Sequence, residues 1–310
     1  MRWERAESQV RYGRSIRFRL RPRAAGFIWL LPVLAGCTCD RHETLRNYPE
    51  RKRPILSKNV AKVDRVFRSD ALVRCMPYRV LMPASVPRGD RLPVVYMLHG
   101  DSSYGFQAWS VEADVSQFAE KGLILVMPEG DTAYYTNAAQ RSGERYEDYI
   151  VKDLISDVES RFPVATRRTG RAIIGYSLGG FGAVKIALRY PELFAFAAGL
   201  SPSIDIAARR PDAEKYHENV FGPWGSTTRL SNDPFHLVTS VEPDRVPYLF
   251  LSCGQREGLV YANRRFASML GARHIAYEFH EVSDGYHGWL QWRQVLREVF
   301  SSLFEHLKDH

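Results

Sequence analysis

The sequence has few of the residues that build metal sites. It contains four cysteines in 310 residues, no C-x-x-C pair and no histidine-rich cluster. Protein zinc sites draw on closely spaced cysteine and histidine ligands. We therefore predict that the protein has no metal site.

The sequence also lacks a long apolar run and, after its first 36 residues, an excess of basic charge. A membrane-spanning helix needs about 20 apolar residues, and the apolar stretch at residues 24–37 is shorter. The formal net charge is +8, but residues 1–36 carry eight arginines and two glutamates, which leaves +2 for residues 37–310. This near-neutral body of mixed charge argues against nucleic acid as a partner.

The N-terminus resembles the export signal of a bacterial lipoprotein. A basic stretch, RYGRSIRFRLRPR, precedes the apolar run AAGFIWLLPVLAGC, which has the length of a signal-peptide core. The run ends in Leu34-Ala35-Gly36-Cys37, a lipobox-like sequence in which the cysteine would be lipidated. We predict an export signal at residues 1–36 and a lipid anchor at Cys37, on the outer side of a bacterial membrane. The alternative is a cleaved signal that releases a soluble periplasmic or secreted protein.

Residues 37–60 are polar and lack periodicity, so we expect a tether there, followed by one domain at residues 61–310. Three cysteines remain beyond Cys37, namely Cys39, Cys75 and Cys253. Export permits disulfides. Because three is an odd number, at least one thiol stays unpaired unless it finds another chain, and the pairing is left open.

The domain alternates apolar runs with amphipathic segments. Strands are predicted at residues 77–83, 93–100, 123–130, 171–175, 246–254 and 274–282. Continuous apolar runs such as PVVYMLHG are typical of strands buried on both faces. Helices are predicted over residues 146–162 and 289–307, where apolar side chains recur every three or four residues. This alternation predicts an α/β fold with a mostly parallel central sheet and helices on both faces.

The segment GYSLGGFGAV joins the predicted strand RAIIG to a helix. Gly175 and Gly179 lie two residues on either side of Ser177, which suits a sharp, strained turn without room for Cβ atoms. Such a turn exposes the serine hydroxyl and directs the first N–H groups of the helix toward it. Ser177 is therefore the candidate nucleophile, and the Leu178 N–H is a candidate oxyanion donor.

A serine hydroxyl needs a base to become a good nucleophile, and the chain offers nine histidines. His287 lies on the loop between the last predicted strand and the last helix, where the base is expected. His99 ends an earlier strand and is expected to shape the oxyanion loop, whose second donor would be the backbone N–H of Asp101. His274 and His280 lie in or beside a strand and are expected to be structural or surface groups.

The acid should lie between the nucleophile and the base along the chain. Glu257 comes three residues after the strand at 246–254, and its carboxylate would keep the imidazole in one tautomer. Asp284 is the rival acid, but three residues along a loop is a poor distance from which to orient the His287 ring. The order Ser177, Glu257, His287 is the order found in the α/β-hydrolase fold.

Several segments together resemble the Putative esterase family of α/β-hydrolases: VVYMLHG, MPEGDTAYYTN, IIGYSLGGFGAVKIALRYPELFA, CGQREGLVYANRRFASML and YHGWLQW. That family includes esterase D-type enzymes, feruloyl and acetyl esterases, and mycolyltransferases of the antigen 85 type. The resemblance covers about residues 62–308. It implies Ser177 as nucleophile, Glu257 as acid and His287 as base, with oxyanion donors at Asp101 and Leu178. One departure is the glutamate at position 257, where aspartate is commoner.

These parts predict a serine hydrolase that cleaves carboxylic esters through an acyl-enzyme and needs no cofactor. The alternative is acyl transfer to a sugar or another alcohol, and a third reading is a non-catalytic surface binding protein. The expected substrate is a small-molecule or carbohydrate-linked ester, under a cap formed by residues 203–245. Four aromatic residues of the strand-end loops could stack on that substrate or belong to the core: Trp109, Tyr135, Trp224 and Tyr286.

Overall fold

The structure is a computed structural model that describes residues 39–208 and 215–307. The predicted export signal at residues 1–36 and the predicted lipidation site Cys37 lie outside the described residues, so both remain predictions. Residues 37–310 form one compact unit. No helix of the described ranges is long and apolar enough to cross a membrane.

The domain is built on one eight-stranded sheet. Its strands are β1 Val60–Ser69, β2 Arg74–Pro83, β3 Val94–Leu98, β4 Ile124–Pro128, β5 Arg171–Tyr176, β6 Phe196–Leu200, β7 Tyr248–Gly254 and β8 Tyr277–Val282. They lie in the order β1-β2-β4-β3-β5-β6-β7-β8. β2 pairs antiparallel with β1 and β4, whereas the pairs from β4 through β3 to β8 are parallel. The predicted mostly parallel sheet of an α/β-hydrolase fold is confirmed.

Helices connect the strands. They are α1 Arg41–Arg46, α2 Ala108–Glu112, α3 Ser116–Glu120, α4 Tyr146–Asp148, α5 Ile155–Arg161, α6 Leu178–Arg189, α7 Lys215–Phe221, α8 Thr227–Leu230, α9 Pro234–Ser240, α10 Val260–Ala272 and α11 Trp289–His306. A π-helical segment, Tyr149–Leu154, joins α4 to α5. The helix predicted over residues 146–162 is therefore present but changes its hydrogen-bonding pattern in the middle.

Both faces of the sheet are covered because alternate side chains of its central strands point to opposite sides. In β3, Val94, Tyr96 and Leu98 pack in one apolar cluster with α5, α6 and α10. The intervening Val95 and Met97 pack in a second cluster with α2, α3 and α11. This arrangement explains why the strand reads as a continuous apolar run.

The segment before the sheet differs from the expected tether. Cys39 forms a disulfide with Cys75 of β2. Glu50 forms an ion pair with Arg79, a fully buried residue of β2 that also binds Asp64. The polar character of residues 39–59 therefore reflects ion pairs and hydrogen bonds with the domain, and this part of the chain does not stand clear of it.

Two further expectations concern cysteine and the cap. Within the part of the chain that the structure describes, Cys253 is buried and has no disulfide partner. The described residues of the expected cap contain α7, α8 and α9. Val220 and Phe221 of α7 pack with Phe181 of α6 in a small apolar cluster near the start of that helix.

Candidate active site

Ser177 lies in the sharp turn between β5 and α6. Its backbone has φ 55° and ψ −121°, a left-handed conformation that is strained for a residue with a side chain. The Ser177 N–H donates to the carbonyl of Leu200 at 2.8 Å. A Cβ at Gly175 would clash with the backbone of Gly179, and one at Gly179 would clash with the His99 carbonyl oxygen. The two flanking glycines are therefore required by close backbone approach, as the sequence predicts.

His287 lies on the loop between β8 and α11, and its side chain reaches Ser177. Its Nε2 is 3.0 Å from Ser177 Oγ. The edge of the ring packs against Trp292, with 5.1 Å between the ring centroids and 86° between the planes. The imidazole is thus placed to accept the serine proton, while 39% of the side chain remains exposed.

Glu257 follows β7 and contacts the other nitrogen of the imidazole. Its Oε2 is 2.7 Å from His287 Nδ1, and only 1% of its side chain is exposed. Its Oε1 accepts hydrogen bonds from Ser201 Oγ at 2.7 Å, the Gly254 N–H at 2.8 Å and Gln291 Nε2 at 2.7 Å. Burial alone would raise the pKa of this carboxyl, but the hydrogen bonds from His287 and Ser201 outweigh it and lower the pKa. Glu257 is therefore ionised at neutral pH.

Asp284, the rival acid, lies elsewhere. Its side chain is 79% exposed and pairs with Arg256, whose Nε is 2.9 Å from Asp284 Oδ1. Arg256 also donates to the hydroxyl of Tyr286 at 2.8 Å. The structure thus brings Glu257, and not Asp284, to the ring of His287.

Two groups that support Glu257 were not predicted from the sequence. Ser201, directly after β6, donates to Glu257 and accepts from the indole N–H of Trp292 at 3.0 Å. Gln291 in α11 donates to Glu257 Oε1 and lies 2.9 Å from Ser201 Oγ. A signal for Gln291 existed, because it follows His287 by four residues in YHGWLQW. Ser201 carried no signal, because β6 itself was not recognised.

The expected oxyanion donors lie beside the serine. Leu178 is the first residue of α6, so its N–H has no acceptor within the helix. Gly100 lies two residues after β3, and a Cβ at this position would lie 3.0 Å from the Cβ of Ser177. The Gly100–Asp101 peptide therefore borders the nucleophile, and the two expected donors belong to different elements.

For two of the four aromatic residues, the core reading holds and the substrate-stacking reading does not. Trp109 and Tyr135 are fully buried, and their polar atoms donate to the carbonyls of Leu98 and His99. They belong to the core because those carbonyls, at the end of β3, need donors. Trp224 and Tyr286 are exposed, at 50% and 61%. Each ring lies against an arginine guanidinium: Arg229 for Trp224 and Arg256 for Tyr286.

A cavity of about 460 Å³ opens beside the Asp101 loop. One wall is formed by residues of the N-terminal segment between positions 47 and 51. A flexible tether would not form such a wall, so this contribution was not expected from the sequence. The other walls include His99, Glu129 and Thr132. The lining is rich in hydroxyl, amide and charged groups. Among the described residues, no group of three or more His, Cys, Asp or Glu side chains is arranged to hold a metal ion.

The sequence of this chain matches the model of one protein family. Residues 69–303 match the model of the family described as Putative esterase. The chain belongs to this family. It is a carboxylic ester hydrolase, and the match includes the serine turn and the loops that carry Glu257 and His287.

The relatives of this esterase include an esterase and an acyltransferase. It is 25% identical over 223 residues to an acetyl esterase of Caldicellulosiruptor saccharolyticus, which covers 68% of this chain and 83% of the relative. It is 26% identical over 196 residues to the diacylglycerol acyltransferase/mycolyltransferase Ag85B of Mycobacterium avium, which covers 56% of this chain and 59% of that one. It spans about half of another relative, 54% of Esterase Rv1288 of Mycobacterium tuberculosis, with 28% identity over 251 residues.

A solved structure shares the fold of this esterase. The serine hydrolase FphF of Staphylococcus aureus, described as fluorophosphonate-binding, superposes with a TM-score of 0.69 and 23% identity. The similarity covers 81% of this chain and 99% of FphF. At this level of identity the comparison supports the α/β-hydrolase fold.

Proposed function

We propose that the protein hydrolyses carboxylic esters with Ser177 as nucleophile, His287 as general base and acid, and Glu257 as the orienting carboxylate. The observation that carries the proposal is one continuous hydrogen-bonded chain. It runs from Ser177 Oγ through both nitrogens of His287 to a buried Glu257 carboxylate, over distances of 3.0 and 2.7 Å. This is the arrangement that activates a serine hydroxyl.

The reaction follows from this geometry. Ser177 Oγ attacks the ester carbonyl carbon while His287 Nε2 takes its proton, and the carbonyl oxygen becomes an oxyanion facing the N–H groups of Asp101 and Leu178. As the intermediate collapses, His287 gives the proton to the leaving alcohol and the acyl group stays on Ser177. Water then attacks the acyl carbon, loses a proton to His287, and the acid leaves as the proton returns to Ser177.

The proposal is tested by the turnover of p-nitrophenyl acetate and butyrate by three proteins. Ser177→Ala should lose about 10⁴-fold or more in kcat and should no longer react with a fluorophosphonate probe. Ser268→Ala, which changes an exposed serine of α10, is the matched control and should behave as the wild type. Labelling that persists on Ser177→Ala would refute the assignment of the nucleophile.

Acyl transfer to an alcohol is the second candidate, and the similarity to the acyltransferase Ag85B favours it. The same acyl-enzyme would serve, because an alcohol can take the place of water in the second step. Turnover in the presence of glycerol, glucose or trehalose, with analysis of the products, separates the two. Free acid alone supports hydrolysis, whereas a new ester of the added alcohol supports transfer.

We further propose that the substrate is a small-molecule or carbohydrate-linked ester. The polar cavity beside Asp101 supports this proposal, since amide, hydroxyl and charged side chains bind the hydroxyl groups of an alcohol or sugar. A panel of acetylated sugars and aliphatic p-nitrophenyl esters of increasing chain length would rank the substrates. A preference for long, unbranched acyl chains would contradict the proposal.

From the sequence alone, we propose that Cys37 is lipidated and anchors the esterase outside the cell. Because Cys39 is disulfide-bonded to β2, only Thr38 would lie between the anchor and the domain, and Cys37 and Cys39 would be at most about 7 Å apart along extended chain. The enzyme would then act at the membrane surface on extracytoplasmic esters. Cys37→Ser should move the protein out of the membrane fraction. An unmodified Cys37 in the mass spectrum of the wild-type protein would contradict the proposal.

A further inference from the structure

Three consecutive carbonyls, beginning with that of Leu98 at the end of β3, each accept a hydrogen bond from a side chain. Trp109 Nε1 donates to the Leu98 carbonyl at 3.2 Å, and the Tyr135 hydroxyl donates to the His99 carbonyl at 3.0 Å. His99 Nδ1 lies 2.7 Å from the carbonyl oxygen of Gly100. A carbonyl oxygen only accepts, so His99 Nδ1 must carry a proton. These three hydrogen bonds therefore fix the orientation of each successive peptide where the chain leaves β3.

The last of these bonds has a consequence for the neighbouring N–H. The Gly100 carbonyl and the Asp101 N–H belong to one planar trans peptide, in which the two bonds point in opposite directions. The described peptide bonds include no cis bond. By binding the Gly100 oxygen, the His99 ring therefore turns the Asp101 N–H to the other side of the peptide. Gly100 lies against Ser177, so this is the peptide that borders the site.

The His99 ring is in turn bound by a buried carboxylate. Its Nε2 is 3.0 Å from Glu129 Oε1, and both side chains are nearly fully buried. Glu129 also accepts from the N–H groups of Phe106 at 3.1 Å and Asp131 at 2.9 Å. The Gly130 N–H lies 2.9 Å from His99 Nε2 and 3.1 Å from Glu129 Oε1. His99 Nε2 therefore donates to Glu129 when it carries a proton and accepts from Gly130 when it does not, and Nδ1 faces the Gly100 carbonyl as a donor in both states.

The shifts in pKa agree with a close contact between the two side chains. Burial alone would raise the pKa of Glu129, but the His99 ring and the backbone N–H groups lower it to about 2. Burial alone would likewise lower the pKa of His99, but Glu129 and the Gly100 carbonyl raise it. The bond from His99 Nδ1 to the Gly100 carbonyl does not depend on the charge of the ring, because Nδ1 carries its proton in both the neutral and the charged state.

We propose that His99, bound by Glu129, is a positioning residue that orients the Asp101 N–H as an oxyanion donor through the Gly100–Asp101 peptide. In this role His99 acts through the peptide and not by contact with the reacting carbonyl. The inference rests on the proposed function, in which Asp101 stabilises the oxyanion. The roles of the nucleophile, base and acid do not explain why His99 and Glu129 form a buried pair, and this inference gives the pair a role.

Two substitutions of His99 separate positioning from stability. His99→Asn can place an amide N–H near the position of Nδ1 and keep the bond to Gly100, but it loses the bond to Glu129. His99→Gln can place its amide near Nε2 and keep Glu129 paired, but it loses the donor to Gly100. Loss of an oxyanion donor costs about 10²–10³-fold in kcat. We therefore expect His99→Gln to lose at least about tenfold more kcat than His99→Asn, with KM changed little in both.

The stability of the two variants should run in the opposite order. His99→Asn leaves the buried Glu129 carboxylate without its contact to the side chain at position 99 and should have the lower Tm, whereas His99→Gln keeps one hydrogen bond to it. Glu147→Gln is the matched control, since Glu147 forms another buried pair, with Lys185 at 2.6 Å. It should lower Tm with kcat near that of the wild type. If kcat follows Tm across the three variants, the role of His99 is merely structural and the inference is overturned.

A measurement independent of turnover completes the test. A crystal structure of His99→Gln should show the Gly100–Asp101 peptide rotated, whereas that of His99→Asn should keep the wild-type orientation. An unchanged peptide in His99→Gln overturns the inference even if the enzyme is active. A rotated peptide in a protein whose wild type hydrolyses no ester would support the positioning and refute the proposed function, so the two failures are distinguishable.

Discussion

Replacement of Glu257 by glutamine tests the proposed acid in a way that the surrounding hydrogen bonds make specific. One carboxylate oxygen, Oε1, accepts from Ser201, the Gly254 N–H and Gln291, whereas Oε2, among the described residues, is hydrogen-bonded to His287. A glutamine would therefore keep its carbonyl oxygen toward the three donors. Its NH₂ group would face His287 Nδ1.

This orientation reverses the protonation of the ring. An NH₂ group donates, so Nδ1 becomes an acceptor and the proton moves to Nε2, the nitrogen that faces Ser177 Oγ at 3.0 Å. The ring can then no longer accept the serine proton. The equivalent acid-to-amide change in a serine protease lowers kcat by about 10⁴, which corresponds to about 5 kcal/mol of transition-state stabilisation. We expect Glu257→Gln to lose activity on that order.

The assay is kcat/KM for p-nitrophenyl acetate, measured together with Tm to verify the fold. Asp284→Asn is the matched control, because it removes an exposed carboxylate that pairs with Arg256 and should change kcat/KM less than about threefold. A loss below tenfold in Glu257→Gln, or a larger loss in Asp284→Asn, would refute the assignment of Glu257.

Three further predictions concern stability. Removal of the disulfide by the double substitution Cys39→Ser and Cys75→Ser should lower the free energy of unfolding by about 4 kcal/mol. This is the chain-entropy value for a separation of 36 residues. A Tm equal to that of the wild type in a thermal melt would contradict the prediction. Lys185→Met should lower the free energy of unfolding by about 1–3 kcal/mol in a denaturant titration, because it removes the buried partner of Glu147 Oε2, while Arg189 and Tyr190 stay bound to Oε1; an unchanged free energy would show that the pair is dispensable. The pKa of Glu129 is lowered from 4.5 to about 2, so its contribution to stability is present above pH 4.5 and is lost as the pH falls toward 2. Over that pH range, Tm should therefore fall less steeply in Glu129→Gln than in the wild type. Identical slopes of Tm against pH would contradict the prediction.

The central strands could be predicted because burial on both faces leaves an apolar run in the sequence. Two strands were missed for opposite reasons. β1 lies at the edge of the sheet, and its sequence VAKVDRVFRS mixes charged and apolar residues. β6, FAAGL, is fully buried but short and rich in small residues, so its apolar signal is weak. Its position matters for the site, since Ser201 follows it directly.

The proposed nucleophile, base and acid could be inferred because their order along the chain and their places after successive strands are strong constraints. The positions of the surrounding residues could not be inferred in this way. The identity of an aromatic residue does not say on which side of a loop it packs, and Trp109 and Tyr135 turned inward to bind the carbonyls at the end of β3. The N-terminal segment was misjudged because ion pairs and a disulfide leave no hydrophobic periodicity.

The most direct test of the central claim is to trap the acyl-enzyme. The protein would be mixed with p-nitrophenyl acetate, quenched in acid within the first turnovers, digested and analysed by mass spectrometry. We predict an acetyl group on the peptide that contains Ser177, and none on the same peptide of the Ser177→Ala protein. An acetyl group on a different residue, or steady turnover by Ser177→Ala without a covalent intermediate, would contradict the account.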